Sequence, residues 1–151
     1  MTMATQQVAS TISVHTTPIG LQFQSVSVCF IFPDDYTQHW EFSDGSPPPD
    51  NILADWFNLL RGRLHNTNVK ADANSTTAAT GPIAVHCVAG YGRAPVLVAV
   101  ALMELGMPCA DAIELIRNKR NGAFNDRQLA YLTHYHAKSR LRKHVHQCVI
   151  A

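Results

Sequence analysis

The stretch HCVAGYGRAP, residues 86–95, decides how this chain can fold. It follows the short apolar run IAVH (83–86) and precedes a long apolar segment that ends at Gly106. This order is typical of a buried strand, a loop and a helix. Gly90 and Gly92 allow backbone angles that turn successive N–H groups toward one centre. At the start of a helix, such a loop is predicted to bind an anion, because the helix dipole adds positive potential.

Two side chains of this loop could act on a bound phosphate. Arg93 opens the predicted helix, where its planar guanidinium can hold two phosphate oxygens. Cys87 lies at the mouth of the loop, where positive potential favours the thiolate form. A thiolate beside a phosphate monoester is placed for in-line attack on phosphorus, with inward-pointing amides meeting the charge. We therefore expect Cys87 to be a nucleophile; the alternative is a buried structural thiol beside an ordinary turn.

The leaving oxygen of such a reaction needs a proton, and a second loop offers a donor. The run FSDGSPPP, residues 42–49, contains three prolines and cannot be a helix or a central strand. An acid on a separate loop can reach over the phosphate and withdraw again. Asp44 is therefore the candidate general acid, although Asp44-Gly45 alone would indicate only a turn.

The remaining pattern predicts an α/β fold with a small central sheet flanked by helices. Residues 19–32 have strand character, with a change of phase near Ser25 that indicates a bulge or two strands. Residues 65–82 are small and polar and are predicted to form a surface loop. Helices are predicted from a cap at Asp50, over 93–105 and 110–120, and from a cap at Asn125 toward Leu141. The predicted divisions are a flexible N-terminus (1–18), a catalytic domain (19–141) and a basic tail (142–151).

Composition excludes several classes of protein. The chain has 151 residues, of which 46% are hydrophobic and 15% charged, so it can bury a core. Its four cysteines contain no C-x-x-C pair, and its histidines have no convincing metal spacing, so neither a metal nor a cofactor is predicted. The first ten residues have no basic segment or long apolar run, so we expect no secretory signal and reduced thiols.

Positive charge collects at the C-terminal end. Residues 117–151 hold eight Lys or Arg against the single acid Asp126, which predicts an electrostatic partner. The chain ends Cys148-Val-Ile-Ala, a C-a-a-X pattern that favours farnesylation of Cys148. One prenyl chain binds membranes weakly, so an anionic cytoplasmic leaflet would also have to attract basic residues upstream. These are Lys138, Arg140, Arg142 and Lys143. No motif that reads nucleic acid accompanies them.

Three stretches together resemble one family, the phosphatases of regenerating liver, or type IVA protein tyrosine phosphatases. They are AVHCVAGYGRAPVLVAVALMELGM, DAIELIRNKRNGAFNDRQLAYL and WEFSDGSPPPDNILADWFNLL, which cover most of residues 40–141. The resemblance implies a cysteine-dependent phosphatase fold of dual-specificity type and activity on phosphotyrosine, with dual specificity left open. It implies that Cys87 carries a phosphocysteine, that Arg93 clamps the phosphate and that Asp44 is the acid. The amides of Val88, Ala89, Gly90, Tyr91, Gly92 and Arg93 would bind the phosphate.

The resemblance also gives expectations for supporting residues. Ala94 stands where most of the wider superfamily has Ser or Thr, whose hydroxyl can stabilise the departing sulfur, so slow hydrolysis of phosphocysteine is expected. Gln128 could orient a water or a loop, or lie on a solvated helix face. His86 could tune the thiolate or serve in packing. Residues 1–39 do not follow the family's N-terminal half, so the resemblance does not extend to the early strands.

Three further expectations come from the family. Cys29 ends a VSVC strand similar to one whose cysteine forms a reversible disulfide with the nucleophile, which implies a Cys29–Cys87 pair. The prenylated tail implies the cytoplasmic face of plasma or endosomal membranes, and the cytoplasm without prenylation. An alternative function is a binding regulator whose phosphocysteine state gates a CBS-domain magnesium transporter.

A thiol enzyme of the arsenate reductase or rhodanese type is a weaker alternative, because neither needs an acid like Asp44.

Overall fold

The structure, a computed structural model, describes residues 12–16, 25–30, 37–65 and 83–142. The described part of the chain contains four strands and four helices in mixed order, which confirms the predicted α/β class. The elements described are β1 (Ile12–Thr16), β2 (Ser25–Phe30), β3 (Thr37–Glu41), α1 (Asp50–His65), β4 (Ile83–Cys87), α2 (Arg93–Glu104), α3 (Cys109–Lys119) and α4 (Asp126–His134). Predictions for 19–24, for the loop at 66–82 and for the tail from 143, including Lys143 and Cys148, lie outside the described residues.

The sheet places β4 in its interior. The strand order is β1-β4-β2-β3, with β1 parallel to β4 and β2 antiparallel to both β3 and β4. The nearly continuous apolar run of β4 suits this position, because such a strand is covered on both faces. The prediction of a flexible N-terminus is wrong for Ile12–Thr16, which form a strand. Its sequence ISVHT is rich in β-branched residues, which favour strands. It pairs with the edge of β4 that would otherwise be open.

Helix α2 runs through the core, and all of its residues are buried. Its carbonyl at Leu97 accepts a hydrogen bond of 2.9 Å from the indole N–H of Trp56 on α1. Trp56 in turn meets Trp40 of β3 edge to face, with 5.9 Å between ring centroids. The described helices include none that is both long and apolar enough to cross a membrane. The core therefore joins α1, α2 and the strand that leads into the Asp44 loop.

The predicted apolar stripe of α1 is confirmed, but its predicted cap is wrong. Ile52, Leu53, Trp56, Phe57 and Leu60 are buried, and Leu64 packs against them. The carbonyl of Pro49, not of Asp50, accepts the first helical hydrogen bond, from Leu53 N–H at 3.0 Å. Asp50 is thus the first residue inside the helix, where its carboxylate interacts favourably with the positive end of the helix dipole.

Helix α4 ends at His134, well before the predicted Leu141. The reason is Glu104, a fully buried carboxylate at the end of α2. It accepts hydrogen bonds from the Tyr135 hydroxyl (2.6 Å), the Lys138 amide (3.2 Å) and the Arg140 amide (2.7 Å). Amides that point at this carboxylate cannot also continue a helix. Residues 135–142, here called the C-terminal strap, therefore leave the helix and cross the end of α2.

Candidate active site

The predicted phosphate loop lies between an interior strand and a buried helix. Strand β4 ends at Cys87, which is buried, and α2 begins at Arg93. Gly90 has φ of +71°, a conformation that favours glycine, and it turns the backbone within the loop. Val88 and Tyr91 are 43% and 46% exposed, so the outer rim of the loop is apolar and open to a substrate.

The phosphate loop and the loop of residues 42–49, here called the acid loop, meet at an ion pair. The Nε atom of Arg93 lies 3.3 Å from Oδ1 of Asp44. The Arg93 side chain is only 2% exposed, whereas that of Asp44 is 74% exposed. Arg93 is therefore held in place by burial, while Asp44 remains accessible to a bound substrate. Two residues that the sequence places 49 positions apart are brought together.

The tip of the acid loop is shaped by Gly45. Gly45 has φ of +70°, and its N–H donates a hydrogen bond of 3.0 Å to Oδ1 of Asp44. Its carbonyl accepts a hydrogen bond of 3.0 Å from Nδ2 of Asn125. A Cβ atom at position 45 would lie 2.8 Å from that same nitrogen, so a side chain here would push the two segments apart. Glycine is thus required both by the turn and by the close approach of α4.

The first turn of α4 connects the acid loop to the phosphate loop. Asn125 caps this helix: its Oδ1 accepts from Gln128 N–H at 2.9 Å, and Gln128 Oε1 accepts from Asn125 N–H at 3.2 Å. Gln128 is fully buried, and its Nε2 donates to the Ser46 carbonyl at 3.4 Å. A Cβ at Gly92 would lie 3.0 Å from the same Nε2. The solvated-face alternative for Gln128 is therefore wrong, because this amide lies between the two loops.

A second segment supports the phosphate loop from the other side. Nη2 of Arg120 donates to the Ala89 carbonyl at 2.8 Å, and its guanidinium lies 4.2 Å from the centre of the Tyr91 ring. Phe124, with φ of +70°, donates its N–H to the Tyr91 carbonyl at 2.7 Å. Sequence reasoning missed Arg120 and Phe124, since neither lies near residues 86–95 in the chain or carries a motif of its own.

Ala94 and His86 take positions consistent with supporting roles. Ala94 is fully buried in the first turn of α2 and offers no donor beyond its backbone. His86 lies in the sheet in register with His15 on one side and Ser27 on the other. The roles assigned to both residues stay predictions.

The strand register does not bring Cys29 to Cys87. Cys29 pairs with Ala84, which precedes Cys87 by three residues on β4. At about 3.3 Å per residue this offset is about 10 Å, beyond the usual 4.4–6.8 Å between the Cα atoms of a disulfide. Cys87 and Cys109 are free thiols. Cys109 is the first residue of α3. Burial raises the pKa of its thiol, which contacts the Leu132 carbonyl at 3.3 Å. A Cys29–Cys87 disulfide would require β2 to shift along β4.

A cysteine between an interior strand and a loop of amides, with a buried arginine paired to an acid from another loop, is the arrangement of a cysteine-dependent phosphatase. Comparison with known proteins gives the same class. Residues 37–138 match the family model of the protein-tyrosine phosphatases. This match covers more than half of the chain, which therefore belongs to the protein-tyrosine phosphatase family.

Within this family the similarity is to the type IVA group, as the sequence resemblance indicated. The chain is 52% identical to protein tyrosine phosphatase type IVA 3 of Mus musculus over 103 residues, which are 68% of this chain and 53% of that protein. It is 46% identical to PRL-1 phosphatase of Drosophila melanogaster over 67% of this chain and 51% of that protein. The chain thus spans about half the length of the curated relatives it matches.

A solved structure supports the fold. A protein tyrosine phosphatase from Leishmania major superposes with a TM-score of 0.50 at 45% sequence identity. The alignment covers 64% of this chain and 57% of the Leishmania chain. The cysteine-dependent phosphatase fold predicted from the sequence is confirmed.

Proposed function

We propose that this chain hydrolyses phosphotyrosine in proteins through a phosphocysteine intermediate. The observation that carries the proposal is the 3.3 Å ion pair between Arg93 and Asp44. It places a candidate proton donor beside the candidate phosphate clamp, next to the loop that begins at Cys87. Membership in the protein-tyrosine phosphatase family supports the substrate class.

In the first step the Cys87 thiolate attacks phosphorus, and the bond between phosphorus and the tyrosine oxygen breaks. Asp44 donates its proton to that leaving oxygen, so tyrosine departs as a neutral phenol. The equatorial oxygens are held by the Arg93 guanidinium and by the amides of residues 88–93. The products of this step are a phosphocysteine at Cys87 and an ionised Asp44.

In the second step water attacks the phosphocysteine. Asp44 accepts a proton from this water, the P–S bond breaks, and Cys87 leaves as a thiolate while inorganic phosphate is released. Ala94 has no side-chain donor to stabilise the sulfur as it takes up charge. We therefore propose that this step limits turnover and that the phosphocysteine persists.

Trapping of the intermediate tests the proposal. The chain is incubated with p-nitrophenyl phosphate, quenched in acid and digested, and the Cys87 peptide is examined by mass spectrometry. We expect one phosphate on Cys87, with none in a Cys87→Ser variant and none on Cys109, whose burial keeps it a thiol. An unmodified Cys87 together with no release of nitrophenol would reject the proposed function.

Membrane attachment is a separate part of the proposal. The Cys148-Val-Ile-Ala ending and the basic residues upstream support farnesylation and attraction to the anionic cytoplasmic leaflet of plasma or endosomal membranes. Expressed in cells that contain prenyltransferases, the full chain should fractionate with membranes and a Cys148→Ser variant should not. Equal membrane fractions for both proteins would contradict lipidation at Cys148.

A binding role is the second candidate function. Exposed Val88 and Tyr91 beside the phosphate loop, together with the donor-free Ala94, suit a partner that reads whether Cys87 is phosphorylated. The type IVA resemblance suggests a CBS-domain magnesium transporter as that partner. Cys87→Asp mimics a blocked thiol and abolishes catalysis in either case. Transporter binding that changes with Cys87→Asp would support the gate, and unchanged or absent binding would leave only the enzyme.

A further inference from the structure

A groove of about 780 Å³ lies outside the phosphate loop, between α1, α4 and the C-terminal strap. Its walls come from three separate parts of the chain. They are helix α1, helix α4 and the strap. We call it the basic groove; its volume is in the range of pockets that hold specific ligands.

The charges in this groove have one predominant sign. Arg61, Arg127, Lys138 and Arg140 are basic, and Asp50 is the one acid among the residues that line the groove. Two of the four are already oriented. Arg127 donates from Nη1 to the Ser46 hydroxyl at 3.4 Å, and the Arg140 guanidinium lies 5.0 Å from the Phe57 ring centre and pairs with the buried Glu104 at 3.8 Å, which offsets part of its charge. Cations held by contacts with the protein lose less entropy when they bind an anion.

Part of the groove lining is apolar and is here called its floor. It consists of the buried Leu53 and Phe57 and the exposed Ala54 and Ala130; Tyr131 also lines the groove. Burial, reinforced by the nearby Asp50 carboxylate, raises the pKa of Tyr131 to about 12, so its phenol stays neutral and can donate a hydrogen bond. An apolar floor with a rim of arginine and tyrosine is typical of the central part of protein–protein interfaces.

We propose that the basic groove binds an acidic peptide segment of the phosphoprotein substrate. An extended peptide places alternate side chains on opposite faces, so apolar residues can meet the floor while acidic ones meet the cationic rim. A flat anionic membrane would reach the rim but would leave the apolar floor unfilled. The substrate assignment rests on the proposed phosphatase function.

The position of the groove suits a substrate that also reaches the active site. Asp50 directly follows the acid loop in the chain, and Arg127 contacts Ser46 of that loop. A peptide in the groove would therefore lie along the outer side of the loop whose Asp44 pairs with Arg93. Binding energy from this segment would hold the phosphotyrosine near Cys87 by raising its effective concentration.

The binding test uses the full chain and a fluorescein-labelled peptide of alternating Glu and Leu, with a Gln/Leu peptide as neutral probe. Fluorescence anisotropy is measured for the unaltered chain, for an Arg61→Glu/Lys138→Glu variant and for Lys119→Glu, which reverses a charge on α3 outside the groove. We expect binding of the acidic probe alone, roughly tenfold weaker for the double variant and little changed for Lys119→Glu. Higher salt should also weaken it.

Three results would overturn the proposal. They are no binding of the acidic probe, equal binding of both probes, or equal loss in the groove and α3 variants. If the double variant instead abolishes co-sedimentation with phosphatidylserine vesicles while the acidic probe does not bind, the groove serves a membrane. If it alters the sedimentation coefficient of the chain without peptide binding, the occupant is a second copy.

The kinetic arm tests the substrate assignment. Phosphotyrosine peptides with acidic and neutral flanks are compared, and the acidic one should have a KM several-fold lower, a difference that the double variant removes. An equal KM for both peptides would overturn the assignment. Since anisotropy requires no turnover, a failure to trap phosphocysteine would count against the proposed function and not against peptide binding.

Discussion

At the scale of single residues, the proposed mechanism assigns to Ala94 the control of how fast the second step can run. Ala94 is fully buried and immediately follows Arg93 in the chain. A hydrogen bond to a departing thiolate is a charge-assisted one, which contributes about 1.5–3 kcal/mol. The absence of this donor is the reason we expect slow hydrolysis of the phosphocysteine.

We predict that Ala94→Ser raises kcat on p-nitrophenyl phosphate by roughly tenfold or more, because it stabilises the sulfur as the P–S bond breaks. Stopped-flow measurement should show the same burst of nitrophenol with faster steady-state release. Ala99→Ser, the same change at another fully buried position of α2, is the matched control. A kcat that stays the same or falls for Ala94→Ser would contradict the role of Ala94.

Asp44 is the second residue whose role can be isolated. Replacing it by Asn removes the proton donor, so kcat on a phosphotyrosine peptide should fall by roughly 10²–10⁴. A substrate with a good leaving group needs less proton donation, so the loss should be smaller for p-nitrophenyl phosphate than for phenyl phosphate. Asp55→Asn, on the exposed side of α1, is the control. If kcat falls by the same factor with all three substrates, Asp44 acts through its position or charge and not as a proton donor.

At the scale of elements, the N-terminus of α4 holds the acid loop. Asn125 has two separable functions, since its Oδ1 caps α4 and its Nδ2 donates to the Gly45 carbonyl. A serine can replace the cap oxygen but has no amide nitrogen to reach Gly45. This difference allows helix stability and loop position to be tested independently.

We predict that Asn125→Ser lowers kcat several-fold while leaving the Tm close to that of the unaltered chain, because the cap remains and the loop is released. Asn125→Ala loses both functions and should also lower the free energy of unfolding by about 1 kcal/mol. Thermal melting by circular dichroism and phosphatase assays separate the two effects. A kcat that follows only stability across both variants would show that the loop contact has no catalytic effect.

At the scale of the whole molecule, Glu104 joins the C-terminal strap to the core. Three donors of the strap converge on this buried carboxylate, and Arg140 adds an ion pair at 3.8 Å. The Tyr135 phenol belongs to this network, and its burial and its hydrogen bond to Glu104 raise its pKa. The same strap forms one wall of the basic groove, so its attachment determines the shape of that groove.

We predict that Glu104→Gln lowers the free energy of unfolding by about 2 kcal/mol, because an amide cannot accept all of these hydrogen bonds and replaces an oxygen with a donor. Urea unfolding followed by circular dichroism measures this change. Glu114→Gln, an exposed position of α3, should change stability little. If both variants unfold at the same urea concentration, the strap does not depend on Glu104.

The amino-acid sequence by itself determined the phosphate loop and its neighbours. The order of strand, glycine-containing loop and helix at 83–105, the apolar stripe of α1 and the Asn125 cap depend on contacts within a few residues. Local spacing predicts such features because the interacting groups are neighbours in the chain. The family followed from the same local motifs.

Only the tertiary structure decided which distant residues meet. Asn125 reaches Gly45 across 80 residues, Arg120 reaches Ala89 across 31, and Glu104 ends α4 through the strap. No periodicity encodes these contacts, because they depend on how the elements pack once the core has formed. For the same reason Ile12–Thr16 became an edge strand: its pairing partner, β4, lies 71 residues further along the chain in the register Ile12 to Ile83. Local sequence motifs therefore indicated the chemistry, whereas the positions of the acid loop, the strap and the groove could be known only from the tertiary structure.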